Sequence, residues 1–218
     1  MRREYRWVLA GVLVVVCGSV LFAQTSDYFS QYPGGFTQTA YEVLTADLQN
    51  PLELGWKVEE TADHQLMVTT TNQVLATRNE MENGVVNGIA QTQLIIQDEA
   101  VRTLLQNHSS LTPSTTFIVP GGAHFVTGAQ ETIEGVSALC GVLTTDAKPA
   151  ERTILAITAD PTLPFPPFIQ LQKTGENIKG TGSNDLPFCT SVLSVLQNTS
   201  QKFTTTFQLR LTAFERRE

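Results

Sequence analysis

The chain has 218 residues, 41% hydrophobic and 16% charged, with 14 basic residues against 21 acidic ones and a net charge of −7. That balance excludes the low-hydrophobicity, high-charge composition of chains that stay disordered. The acidic excess, with no basic stripe to offset it, excludes nucleic-acid binding, because phosphates are repelled.

Trp7 to Ala23 is an uncharged apolar run placed just behind Arg2, Arg3 and Arg6. A positive start, an apolar run and a small residue at its end are the parts of a secretory signal. As a helix the run is about 25 Å long at ~1.5 Å per residue, a little short of the roughly 30 Å hydrocarbon core. Residues 1–23 are therefore read as either a signal peptide or an N-terminal membrane anchor, with membrane contact through residues 7–23 if uncleaved. In both cases the arginines keep the leading end in the cytoplasm and the rest is exported. Cys17 follows Val16, where lipid attachment would need a small residue, and is read as a small hydrophobe. Beyond residue 23 lie 195 residues with 11 basic and 20 acidic side chains, the leader holding three Arg and Glu4. That is enough for one domain with a real core.

Residues 24–39 are polar and broken by Pro33, Gly34 and Gly35, the composition of a linker, so a single β-rich exported domain is expected over 40–218. Tyr41, Val43 and Thr45 alternate with Glu42, Leu44 and Ala46 as a strand would. Trp56 and Val58, a polar corner at Thr61 to His64, and Leu66, Val68 and Thr70 predict a β-hairpin. Gln73 to Arg78 reads as a further short strand. Asn83-Gly84 and Asn87-Gly88 read as turn signals, since Asn-Gly most readily supplies positive φ. Ala90, Thr92, Leu94 and Ile96 then alternate with glutamines, predicting a strand over Ile89 to Gln97.

The period changes at Asp98. Val101, Leu104 and Leu105 fall at helical spacing behind an acidic first turn, predicting one packed helix near residues 98–107. Thr115 to Val119 is a short β-branched strand stopped by Pro120, Gly121 and Gly122, and Phe125 to Ala129 pairs back onto it. Val136 to Leu143 is apolar or small on both sides, the pattern of a strand covered on both faces. A polar turn at Asp146 to Glu151 precedes a strand through Ile154, Ala156 and Thr158. Four prolines between Pro161 and Pro167 mark an edge or corner, and Ile169 and Leu171 a brief strand.

Lys173 to Asp185 is loop-like, and Leu186 to Asn198 fits either a helical turn or a buried strand. The clearest strand is the last, with Phe203, Thr205, Phe207, Leu209, Leu211 and Ala213 on one side and Lys202 to Thr212 on the other. Burying its four large apolar side chains contributes roughly 6 to 12 kcal/mol before entropy is counted. The expected fold class is mainly β (α+β): an antiparallel sheet, as a sandwich or a curved sheet wrapping the helix, preceded by the N-terminal hydrophobic helix.

No motif for a cofactor, a metal or a phosphate-binding loop stands in the chain, and none is expected to be bound. Cys140 and Cys189 make an even pair in an oxidising compartment, a candidate disulfide closing a loop of about fifty residues. His124 sits beside the Gly121-Gly122 turn, where backbone N–H groups could approach a ligand, so these three residues are the candidate ligand-proximal set. The functional expectation is a non-enzymatic envelope or extracellular domain that binds an apolar ligand or a protein partner on its sheet. The alternatives are a hydrolase using Cys140 or Cys189 with His124, or a purely structural, membrane-tethered surface protein. At the level of fold alone, the order of leader, antiparallel strands and apolar-faced helix is loosely similar to the curved-sheet carriers of lipoproteins or lipids in bacterial envelopes.

Overall fold

β-branched and aromatic residues that alternate with polar ones fit a pleated, half-buried backbone. In the computed structural model, which describes residues 32–119, 121–182, 185–197 and 202–217, that alternation produces nine strands. They are β1 (Phe36–Thr45), β2 (Leu52–Glu60), β3 (Leu66–Gln73), β4 (Thr116–Val119), β5 (Ala123–Ile133), β6 (Val136–Thr145), β7 (Glu151–Ile157), β8 (Phe168–Lys173) and β9 (Thr204–Arg217). All belong to one open sheet in the order β3-β2-β1-β9-β8-β7-β6-β5-β4, and every neighbouring pair is antiparallel.

Two meanders, β1 to β3 and β4 to β9, are sewn together where β1 pairs with β9, Phe36 opposite Arg217 and Thr45 opposite Phe207. The chain passes from one sheet edge, β3, to the other, β4, through helices. These open with a turn at Arg78–Glu80, pass a π-helical stretch at Met81–Val85, and continue as α1 (Val86–Gln97) and α2 (Glu99–Gln106). Eight interstrand spacings of about 4.8 Å make a width of about 38 Å, and the helical residues from 78 to 106 give about 42 Å at ~1.5 Å each. The crossover is as long as the sheet is wide.

The core lies on the face these helices cover. One cross-strand row runs Leu52, Val43, Leu209, Ile169, Leu155, all fully buried. It ends on Gly141, where the Phe125 ring occupies the space of a side chain: a Cβ there would come within 2.3 Å of it. The proline-rich segment lies on the same face, with Leu163 fully buried and Phe165 edge-on to Tyr41 and Trp56 at 5.5 and 6.3 Å. The Tyr41 hydroxyl donates to the Phe165 carbonyl at 2.8 Å.

On the opposite face the segment after β8 covers β5 to β8. A 3-10 turn at Thr190–Val192 leads into α3 (Leu193–Gln197). Cys189 is joined to Cys140 of β6, S–S 2.09 Å and Cα–Cα 5.1 Å. The Glu131 carboxylate accepts from the Cys189 and Ser191 amides at 2.8 and 3.2 Å. Arg152 adds a third tie, donating to Gln172 at 2.7 Å with its guanidinium 3.8 Å above the Phe203 ring; burial lowers its pKa.

Several expectations are corrected. There is one sheet among the described residues, not the two facing sheets of a sandwich. Helical structure extends well beyond 98–107: the segment read as a strand at Ile89–Gln97 is α1, and Gln73–Arg78 is not a further strand. Thr77 instead caps the helix, its hydroxyl accepting from the Glu80 amide while Glu80 bonds back to the Thr77 amide. Asn83-Gly84 and Asn87-Gly88 are helical, and their glycines serve close packing. A Cβ on Gly84 would stand 2.7 Å from the Asp47 carbonyl, and Gly88 faces Thr45 and Leu52. The segment read as linker loses residues 36–39 to β1. In β9, register shifts against β8 and β1 put Thr205 and Ala213 on the face opposite Phe207, Leu209 and Leu211.

The helix at 98–107 is borne out as α2, with Asp98 Oδ1 accepting from the Ala100 and Val101 amides. No helix among the described residues is long and apolar enough to cross a membrane. The leader, residues 24–31, Pro120 and residues 198–201 lie outside the described residues.

Candidate functional site

The covering segment ends at β8 and β9, so among the described residues the same face of β1, β2 and β3 carries strand side chains alone. Register places them in three cross-strand rows. The middle row is Ala213, Ala40, Gly55, Thr71; it is flanked by Arg210, Glu42, Glu53, Gln73 on one side and Glu215, Gln38, Lys57, Thr69 on the other. Residues two apart on a strand stand about 6.8 Å apart along it. The small middle row therefore becomes the floor of a trough about 14 Å from rim to rim, with a volume of about 430 Å³.

One floor position has a steric reason to stay small. At Gly55 a Cβ would approach the Thr71 hydroxyl to 2.2 Å. At Ala40 the carbonyl accepts from Thr212 at 3.1 Å, where β9 bulges. The rims are polar and carry charges of both signs. Arg210 Nε donates to Glu42 Oε2 at 2.8 Å, and Lys57 Nζ lies 2.9 Å from Glu59 Oε1. Glu42, Glu53 and Glu215 stand against Arg210 and Lys57, a mixed and nearly neutral rim that disfavours a highly charged polymer and suits a neutral polar one.

A second cleft, about 370 Å³, opens at the far end of β6 and β7, where His108, Ser109, Ser137, Thr158 and Asp160 surround Leu139 and Ile157. Its polar groups are engaged locally. His108 Nδ1 bonds the Leu105 carbonyl, Thr158 donates to the Ser137 carbonyl, and Asp160 accepts from the Thr162 amide and hydroxyl. The trough, at about 430 Å³, is the larger of the two.

The residues singled out from sequence fall elsewhere. Gly121 and Gly122 form the β4–β5 turn at φ +81° and +72°, with open space around both. His124 pairs across Ile118 and Thr144, four residues along β6 from Cys140, a separation of about 13 Å. Cys140 and Cys189 are bonded to each other and fully buried, so neither sulfur is available as the nucleophile of the hydrolase alternative. Among the described residues no three His, Cys, Asp or Glu side chains are grouped to hold a metal ion.

The trough was missed because its floor is Ala, Gly and Thr, residues with no pattern of their own. Only the register of β1, β2, β3 and β9 aligns them. No protein-family model, curated protein or solved structure matches this chain.

Proposed function

We propose that this chain is an exported, non-enzymatic binding domain, sent out by its leader, whose partner is a polypeptide segment lying in the trough across β1, β2 and β3. One observation carries this reading: the apolar face of the sheet is filled by the chain's own helices, while the opposite face at β1 to β3 is hollowed and, among the described residues, covered by no other segment. The space an apolar ligand would need is taken by Phe125, Leu155, Phe207 and their neighbours, all fully buried. A trough about 14 Å between rims fits one extended polypeptide about 10 Å across. The buried Cys140–Cys189 bond supports export, since such bonds persist in oxidising compartments.

The test uses a displayed library of random peptides selected on the immobilised full chain. Peptides recovered should lose binding to Ala40→Arg, which fills the floor, and keep binding to Leu94→Arg on the exposed side of α1. Peptides indifferent to Ala40→Arg would exclude the trough, and so would a library yielding none.

A further inference from the structure

Sheet edges expose unpaired backbone groups, and folded proteins blunt them with short strands, charges, proline or bulges. The two edges here differ. β4 is only four residues long and leads into Pro120-Gly121-Gly122. β3 spans eight residues, Leu66 to Gln73, carries no charge and no proline, and pairs with β2 without a register shift. All but Val68 are exposed, including Leu66 at 41% and Met67 at 50%.

Which backbone groups face outward follows from the hairpin. The Thr61 amide donates to the Gln65 carbonyl at 2.7 Å, so 61 and 65 are a hydrogen-bonded pair. The Glu60 amide points the other way, to the Gly35 carbonyl at 2.9 Å. Alternation along an antiparallel ladder then makes Met67, Thr69, Thr71 and Gln73 the residues bonded to β2. Leu66, Val68, Thr70 and Asn72 turn their N–H and C=O groups out of the sheet.

The geometry points to a second copy of this chain as the occupant, docked edge to edge through antiparallel β3 strands about a two-fold axis at Thr69. This register uses the whole outward set, Leu66 with Asn72 of the other copy and Val68 with Thr70. It forms roughly eight backbone hydrogen bonds, two for each of four pairs. Thr69 then faces its own counterpart, and Met67 is covered by Thr71, both favourable cross-strand neighbours. Charge selects the place: the chain carries −7 overall, yet β3 has no charged side chain, and Lys57 beside it is neutralised by Glu59. Symmetry also favours two copies, because a two-fold pairing consumes both β3 edges and closes, whereas β3 on β4 would propagate into a filament. The paired sheets would present two troughs on one continuous face.

The test uses the full chain in detergent with Cys17→Ser, so that the leader contributes no thiol. Sedimentation at micromolar concentration should give a two-protomer mass. Thr70→Pro removes an outward N–H without touching the β2 ladder and should weaken the dimer at least tenfold with the circular dichroism spectrum unchanged. Position is read by cross-linking. Thr69 faces Thr69 in a non-hydrogen-bonded pair, where Cα atoms stand about 4.5 Å apart, within disulfide reach. Thr69→Cys should therefore oxidise to a covalent dimer far faster than Ser194→Cys, an exposed control. A monomer at all concentrations, a filament, or a dimer that survives Thr70→Pro and cross-links no faster at 69 than at 194 would each overturn the assignment. A failed peptide selection on the trough leaves this outcome untouched, since the edge and the trough are read separately.

Discussion

Cys140 and Cys189 sit 49 residues apart, and their bond ties a covering segment to the middle of the sheet. In the chain-entropy model, closing such a loop stabilises by about 4 kcal/mol. Reduction, or Cys140→Ser with Cys189→Ser, should lower the unfolding free energy read from denaturant titration by an amount near that figure, and an unchanged value would show the bond does not form. Glu80 makes a different kind of tie. Hydrogen bonds from the Thr77 hydroxyl, then the Thr77 amide and the Gln49 amide, hold its carboxyl below the ordinary 4.5. A folded-state pKa lowered this way contributes stability that is present above the unfolded value and is lost as pH falls through the folded one. Glu80→Gln should therefore lower stability at pH 7 and flatten the acid limb of the pH–stability curve. An acid limb of the same slope would remove Glu80 from that role.

At the scale of elements, the helical run from Met81 through α1 approaches the β1–β2 turn unevenly, and its two glycines should respond differently. At Gly84 a Cβ meets the Asp47 backbone carbonyl at 2.7 Å and must displace it, so Gly84→Ala should destabilise by about 1 to 3 kcal/mol. At Gly88 the nearest atom is the Thr45 methyl at 3.4 Å, an ordinary contact. Gly88→Ala should be neutral or stabilising by up to about 1 kcal/mol, since alanine favours helix. Equal effects in thermal melts would contradict the packing. β9 makes a sharper case: Phe207 is fully buried between β1 and β8, and Phe207→Asp buries a charge with no partner. It should prevent folding, while Phe207→Leu should not; an unchanged melting temperature for the aspartate variant would show the strand is misplaced. β9 was legible because Phe207, Leu209 and Leu211 alternate with polar residues from Thr206 to Thr212. α1 was not, because its buried residues are Gly88 and Thr92, small residues without hydrophobic signal. Ala90, Thr92, Leu94 and Ile96 also happen to alternate with glutamines, and Thr77-x-x-Glu80, which starts the helix, went unread.

At the scale of the whole molecule, local alternation predicted the mostly β, antiparallel character, and counting cysteines predicted the bond, because both depend on residues near in sequence or few in number. The single sheet was not readable, since it depends on β1 pairing with β9 some 170 residues later, and neither strand names its neighbour. The trough shares that origin. Its floor exists only once Ala40 meets Ala213 and Gly55 meets Thr71. That same seam places Phe36 directly across from Arg217, with Cα atoms about 5 Å apart as in any antiparallel pair. A circular permutant follows: a short peptide joining 217 to 36, with new ends cut between Gly175 and Glu176 in an exposed loop, would leave every strand pairing intact. Such a rearranged gene product should melt within a few degrees of the parent. Its collapse would mean that the start and finish of this domain do not meet at the centre of the sheet.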